Sequence, residues 1–207
     1  RIYNTVADDF VYHNLSKMMI FSGNHDTDRT ADVLRGNVGR MKIAMALLAT
    51  MRGYPQIYTG DELMIRSVDL KQGHGGLRVD FPGGWADDKV NLFTVKGRKG
   101  MHKELFDHAQ RLLQWRKTKS VIHDGMTKHF MTRDNTYAYF RYNDEEAVFV
   151  FVNASDADRT IPTAHYAEIL GKYKPVGVDV ISGKTYDLSQ KDIVVEPLSS
   201  IVVKLTK

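Results

Sequence analysis

The stretch Asn24-His25-Asp26-Thr27-Asp28-Arg29 is the part of the sequence best equipped for chemistry. It packs two carboxylates, an imidazole and a guanidinium into six residues, which supplies anionic acceptors, a fixed cation and a titratable ring. So many polar groups are expensive to pack into a purely structural turn. The competing reading is a solvated loop in which Asp28 or Thr30 caps the following helix. Cysteine is absent, so thiol nucleophiles, disulfides and cysteine metal sites are excluded.

The surrounding pattern says what must hold this stretch in place. The apolar run Met18-Met19-Ile20-Phe21 reads as a strand that empties into the polar loop. Val38, Met41, Ala44, Met45, Leu48 and Met51 then recur on one helical face, so the methionines are core residues and not a metal box. Gly53 and Pro55 end that helix, and Tyr54 to Tyr58 form a second strand closed by Gly60-Asp61-Glu62. Strand, polar loop, helix, strand, polar loop is the rhythm of a parallel α/β domain. In parallel barrels the loops after the strands carry the active site. Residues 63–100 are long and irregular, which in a compact domain marks a functional or disordered loop. A helix resumes near Lys103, with Leu105, Phe106, Ala109, Leu112 and Leu113 on its apolar face. Beyond Lys119 the pattern is all-β, with strands at 137–142, 147–152, 178–181, 186–188, 193–195 and 201–205, and it suggests a small antiparallel β-sandwich. The expected organisation is therefore α/β (1–118) followed by all-β (119–207). Two strands cannot close a parallel sheet, so the first unit reads as the last part of a larger barrel, and a chain of this length is expected to self-associate through its uncovered edges.

Three motifs in this order resemble the alpha-amylase family of glycoside hydrolases. Phe21 to Asp26 with Thr27-Asp28-Arg29 resembles that family's region after barrel strand seven. Gly53-Tyr-Pro-Gln-Ile-Tyr-Thr-Gly-Asp-Glu62 resembles its strand-eight segment, usually Gly-x-Pro-x-Ile-Tyr-Tyr-Gly-x-Glu, with Thr59 replacing the second Tyr. Arg78-Val-Asp-Phe-Pro-Gly-Gly-Trp85, with Asn91-Leu-Phe-Thr94 after it, looks like the neopullulanase and cyclomaltodextrinase branch seen in gut Bacteroidetes. The helix ending at Leu113-Gln-Trp-Arg116 and the β segment after it also match, so the likeness spans nearly the whole chain.

The resemblance implies the C-terminal portion of a (β/α)8 TIM barrel followed by an antiparallel β-sandwich. It implies a retaining hydrolase of α-1,4 and in some members α-1,6 glucosidic bonds, which needs a carboxylate nucleophile and a carboxylic acid. In the family order both precede Arg1, so this chain alone is expected to be inactive. Asp26 matches the third carboxylate, which holds the hydroxyls of the sugar at the cleavage point, and His25 matches its partner. Arg78 matches an arginine that touches more distant sugars, although the Asp often found four residues earlier is His74 here. Trp85 and Phe81 offer aromatic faces on which sugars could stack, with ordinary loop packing as the other reading of Phe81. Arg29 orients Asp26, touches substrate, or forms an ion pair with Asp26 or Asp28. Glu62 braces the strand-eight loop, and Tyr58 lies near the same strand end. His123 and His129, in the β segment, read as ordinary surface or core histidines. No cofactor is required by the chemistry. Family members often bind structural calcium, but no Asp/Asn-rich calcium loop stands out. The expected partner is an α-glucan oligosaccharide or cyclodextrin. A periplasmic site is the resemblance's suggestion, with cytoplasmic or secreted as alternatives.

Two other readings compete. Gly23-Asn24-His25-Asp26 also matches a metallophosphoesterase motif, but the Asp-x-His, Gly-Asp-x-x-Asp and Gly-His-x-His that must accompany it are missing or out of order. Tyr137, Tyr139 and Tyr142 could make the β segment a carbohydrate-binding module, although packing against the barrel explains them more simply. The 29 Lys and Arg are dispersed and the net charge is +4, which gives no nucleic-acid patch. No run approaches the length of a membrane span.

Overall fold

A computed structural model describes residues 2–190 and 193–207; Arg1, Lys191 and Asp192 lie outside the described residues. The first helix α1 (Ile2–Ala7) and two 3-10 turns lead into strand β1 (Met19–Phe21). Helices α2 (Thr30–Val33) and α3 (Val38–Thr50) return the chain to strand β2 (Tyr54–Gln56), which pairs parallel with β1 in the register Met19 to Tyr54 and Phe21 to Gln56. Both strands therefore end on the same side, and both polar loops leave from that side. Ile20 packs toward the helices, whereas Met19, Phe21 and Tyr54 are exposed on the opposite face.

Gly53 is needed at the crossing, because its φ is +87° and a Cβ there would lie 2.3 Å from the Met18 carbonyl oxygen. The long segment that follows holds one short α-helical turn, α4 (His74–Leu77), and two 3-10 turns, at 61–63 and 70–72. Gly76 lets it fold tightly, since a Cβ would fall 1.9 Å from the Asp69 carbonyl oxygen.

Helix α5 (Gly100–Arg116) lays Leu105, Ala109 and Leu112 against α3, all three buried. Arg116 at its end is itself buried and donates to the carbonyls of Ala49 (2.9 Å), Met51 (3.3 Å) and Gly53 (2.5 Å). It thereby satisfies oxygens that the end of α3 leaves without helical donors.

A short helix α6 (Ser120–His123) enters the β region. Its main sheet has six strands in the order β3 (Met126–His129), β4 (Thr136–Tyr142), β5 (Glu146–Asn153), β10 (Ser199–Thr206), β7 (Val176–Asp179), β8 (Thr185–Asp187). Strands β6 (Arg159–Thr160) and β9 (Val194–Val195) form a separate antiparallel ribbon, and helix α7 (Ala167–Leu170) sits between β6 and β7 in sequence. Alternation divides the sheet's residues between two cores. Phe140, Phe149, Phe151, Val203 and Leu205 face Ile161, Tyr166 and Ile169 of the second, much smaller layer. Tyr137, Tyr139, Val148, Val150 and Val202 face Ile43, Ala46 and Ala49 of α3. The sandwich is thus lopsided, and the barrel fragment covers its other face. Each large apolar side chain buried here contributes roughly 1.5–3 kcal/mol.

This packing takes up two of the three tyrosines that the sequence offers as a binding stripe. Tyr137 and Tyr139 are buried, and the Tyr139 hydroxyl lies 2.5 Å from Thr50 Oγ1, inside the joint between barrel and sheet. His129 stacks on Tyr3 and its Nδ1 lies 3.2 Å from the Tyr137 hydroxyl, so it too belongs to packing. Among the described residues no helix is long and apolar enough to cross a membrane.

Candidate functional site

The loop after β1 is shaped by its own side chains. Asn24 Oδ1 accepts from the Asp26 amide (2.8 Å), and Thr27 Oγ1 accepts from the Asn24 amide (2.9 Å). This Asx-type turn holds its own backbone and leaves His25 and Asp26 projecting into solvent, with side chains 62% and 55% exposed. The start of α2 is not capped by Asp28 or Thr30, the arrangement that the competing solvated-loop reading calls for. Arg29 stands at the N-cap without a capping bond, and the Thr30 hydroxyl instead donates to Asp61 Oδ2 (2.8 Å).

Four polar side chains converge on the exposed tip. Arg78 Nη2 donates to Asp26 Oδ1 at 2.8 Å, and its Nε donates to the His25 carbonyl at 3.1 Å. His74 Nδ1 lies 3.3 Å from the same Oδ1, and His25 Nε2 lies 3.2 Å from Oδ2. His74 and Arg78 sit on and just after α4, one turn apart, which is why both reach the same carboxylate. Loss of water alone would raise the Asp26 pKa, but His25 and the hydrogen bonds from Arg78 and His74 outweigh it and hold the carboxyl below its ordinary value. Asp26 is thus an ionised acceptor, open to solvent, with donors on one flank.

Arg29 is placed elsewhere. It is 2% exposed, and neither Asp26 nor Asp28 is its partner. Its Nε donates to the Leu77 carbonyl (3.0 Å), its Nη1 to the Thr59 carbonyl (2.7 Å) and, at a long 3.5 Å, to Asp61 Oδ1. Its guanidinium carbon lies 4.1 Å from the centre of the Tyr58 ring. A side chain so enclosed is out of reach of a sugar, which corrects the expectation of a substrate contact or an ion pair within the loop. Asp61 is buried with it, and burial pushes its carboxyl up against the opposing effects of Thr30 and Arg29. Glu62 Oε2 accepts from the Gly60 amide (2.9 Å), a local brace, and burial raises its pKa as well.

Trp85 is 64% exposed on the loop after Phe81, and the Asp88 carboxylate accepts from the amides of Gly83 and Trp85 to hold that loop. Phe81 packs against Leu63, Ile65 and Leu92, with its ring centre 4.2 Å from that of Phe93, as ordinary loop packing. A separate cleft of about 610 Å³, lined by Asp9, Arg52, His129 and Arg141, lies toward the starts of the strands and away from Asp26. Among the described residues no group of three or more His, Asp or Glu side chains is arranged to hold a metal ion.

Asp26, His25 and Arg78, singled out in the sequence, come together here; His74 enters there only as a departure from a pattern, and Asp61 has no role there. The neighbourhood of Asp61 to Thr30 and Arg29 has no local signal, since these residues are 31 and 32 positions apart.

Comparison with known proteins agrees with this architecture. The family described as "Alpha amylase, catalytic domain" matches residues 2–154, and "Cyclo-malto-dextrinase C-terminal domain" matches residues 127–204. A cyclomaltodextrinase from Geobacillus thermopakistaniensis is 26% identical over 142 residues, covering 68% of this chain and 21% of that protein. One from Thermoanaerobacter pseudethanolicus is 24% identical over 206 residues, covering 98% of this chain and 32% of its own length. The alpha-amylase SusG of Bacteroides thetaiotaomicron is 28% identical over 160 residues, with 67% and 23% covered. The chain thus spans 21% to 32% of these curated relatives. Among solved structures, the alpha-amylase of Geobacillus thermoleovorans, complexed with acarbose, superposes with a TM-score of 0.73 at 18% identity, covering 100% of this chain and 43% of that one. An Anoxybacillus alpha-amylase gives 0.73 at 19%, with 99% and 42% covered. At such identities the superpositions speak for the fold: the end of a (β/α)8-type barrel with an antiparallel β domain.

Proposed function

We propose, starting from the fact that this chain belongs to the alpha-amylase family, that it supplies the sugar-holding wall of an active site that hydrolyses α-glucans. The observation that carries this reading is the ionised, exposed Asp26 carboxylate with His25, His74 and Arg78 around it. Its place at the end of a parallel strand is the position from which barrel enzymes act. Asp26 accepts hydrogen bonds from two hydroxyls of the glucose unit being cleaved, and His25 binds the same unit. As positive charge grows on the sugar ring, a fixed carboxylate favours the transition state over the substrate. Arg78 and Trp85 meet sugars further along the chain, the first through polar contacts and the second by stacking.

Bond cleavage with retention also needs a nucleophile and an acid on opposite sides of the glycosidic bond. We assign both to a preceding barrel segment, so the 207-residue chain by itself does not hydrolyse glucans. The substrates are starch-derived glucans, cyclodextrins or pullulan; the names of the cyclomaltodextrinase and alpha-amylase relatives favour the first two. Two carboxylic groups suffice for this chemistry, and it calls for no cofactor. Periplasmic residence belongs to the same proposal and is tested by cell fractionation. In the full-length protein carrying this chain, Asp26→Asn is expected to lower kcat/KM on maltooligosaccharides by about 10²–10³-fold, the range for losing one aimed transition-state contact. Wild-type activity in that variant, or turnover by the 207-residue chain alone, would defeat the reading.

A further inference from the structure

Arg29 follows Asp26 by three residues but points the other way, into the protein. One guanidinium there joins three segments. Its backbone belongs to the loop that carries Asp26 and to the start of α2; its Nε–H binds Leu77, and its Nη1–H binds Thr59 beyond β2. Leu77 immediately precedes Arg78, and α4 holds both Leu77 and His74. A single helical turn has no stability of its own, so the place of α4 is set by its ties. One is the Val68 amide bond to Gly76; another is Asp32 of α2, which accepts from the Ser67 amide (2.9 Å) and pairs with Arg66 (2.6 Å). Of these ties, the one from Arg29 ends on the residue beside Arg78. Thr30 completes the knot, with its hydroxyl on Asp61 and 3.0 Å from Ser22 Oγ at the other end of the loop.

We infer that Arg29 is a positioning residue for Asp26: by clamping Leu77 and Thr59 to the base of the loop, it sets His74 and Arg78 at hydrogen-bond range of the Asp26 carboxylate. The planar fork of arginine suits this, because it directs separate N–H groups at two carbonyls while lying on the Tyr58 ring. A lysine ammonium is a point charge and cannot reproduce that spread. The geometric claim stands on the structure alone, and its kinetic consequence rests on the function proposed above.

Two readouts test it. In the 207-residue chain, carboxyl carbon NMR follows the titration of Asp26. Arg29→Met is expected to move its midpoint up toward that of a free aspartate, and Arg29→Lys to move it part of the way. In the full-length protein, Arg29→Met is expected to lower kcat by about 10²-fold, the scale of a small misplacement at a reacting centre, with a smaller change in KM. The double variant Arg29→Met with Asp61→Asn removes both buried charges. It is expected to regain thermal stability while its Asp26 midpoint and kcat stay at the single-variant values. Recovery of both in the double variant would reduce Arg29 to a charge partner of Asp61 and overturn the inference, as would an unchanged Asp26 midpoint in Arg29→Met. If Arg29→Met fails to fold, Arg29→Gln, which keeps a neutral donor, serves for the same comparison. A full-length wild type that cleaves no α-glucan would sink the functional reading only, and the NMR midpoint would still decide the positioning.

Discussion

Within the apolar joint between barrel and sheet lies one buried hydrogen bond whose two sides should respond unequally to mutation. Tyr139 and Thr50 are both fully buried, with their hydroxyl oxygens 2.5 Å apart. Thr50 Oγ1 also lies 2.6 Å from the Ala46 carbonyl, which can only accept, so the threonine proton is directed there. The Tyr139 proton must then go to Thr50 Oγ1. Tyr139→Phe removes a donor and leaves the Thr50 hydroxyl still bonded to Ala46, a loss of about 1 kcal/mol. Thr50→Val leaves a phenol hydroxyl buried with no acceptor, and should cost more, roughly 1–3 kcal/mol. The double variant removes both polar groups and should cost less than the two singles added together, with a coupling of about 1 kcal/mol. Urea unfolding of the four proteins at one fixed concentration measures this through the midpoints at constant slope. Additive single variants, or a Tyr139→Phe loss larger than that of Thr50→Val, would refute the assignment of donor and acceptor.

Three other outcomes are expected. Arg116→Met removes the donor to the carbonyls of Ala49, Met51 and Gly53 and should cost about 3 kcal/mol or more; thermal unfolding reads it, and a shift under a degree would contradict the role. Asp26 has a folded pKa below its ordinary value of 3.8, so the stability it contributes is present above that value and lost as pH falls through the lower folded midpoint. Asp26→Asn should therefore flatten the acid limb of the stability profile below about pH 4, whereas an unaltered limb would mean that the carboxylate is not held as described. The 207-residue chain prepared alone should associate through the exposed Met19, Phe21 and Tyr54 face of β1 and β2; sedimentation of a stable monomer at micromolar concentration would argue otherwise.

Much of the molecule could be read from the order of residues. Strand β1, helix α3, strand β2 and helix α5 each follow from local apolar periodicity, and so do β4, β5 and β10. The loop carrying Asp26 was marked by its density of polar groups. Some elements were not legible. β3 and β6 lack a strong apolar run, since Met126-Thr-Lys-His129 and Arg159-Thr160 become strands only through pairing with β4 and β9. The start of α2 goes uncapped because the Thr30 hydroxyl finds a partner in Asp61, which no local rule could place beside it.

Residue order sets the types and spacing of the groups: a carboxylate and an imidazole at the mouth of a parallel strand, an arginine 52 positions after Asp26, and the residue types in each core. Which cation faces the carboxylate and which turns inward is set by the packing of segments distant in the chain. Arg78 and Arg29 look alike in one dimension. Arg29 is buried because the carbonyls of Leu77 and Thr59 and the ring of Tyr58 form a pocket shaped for its fork, and backbone carbonyls leave no mark on the identity of the residues that carry them.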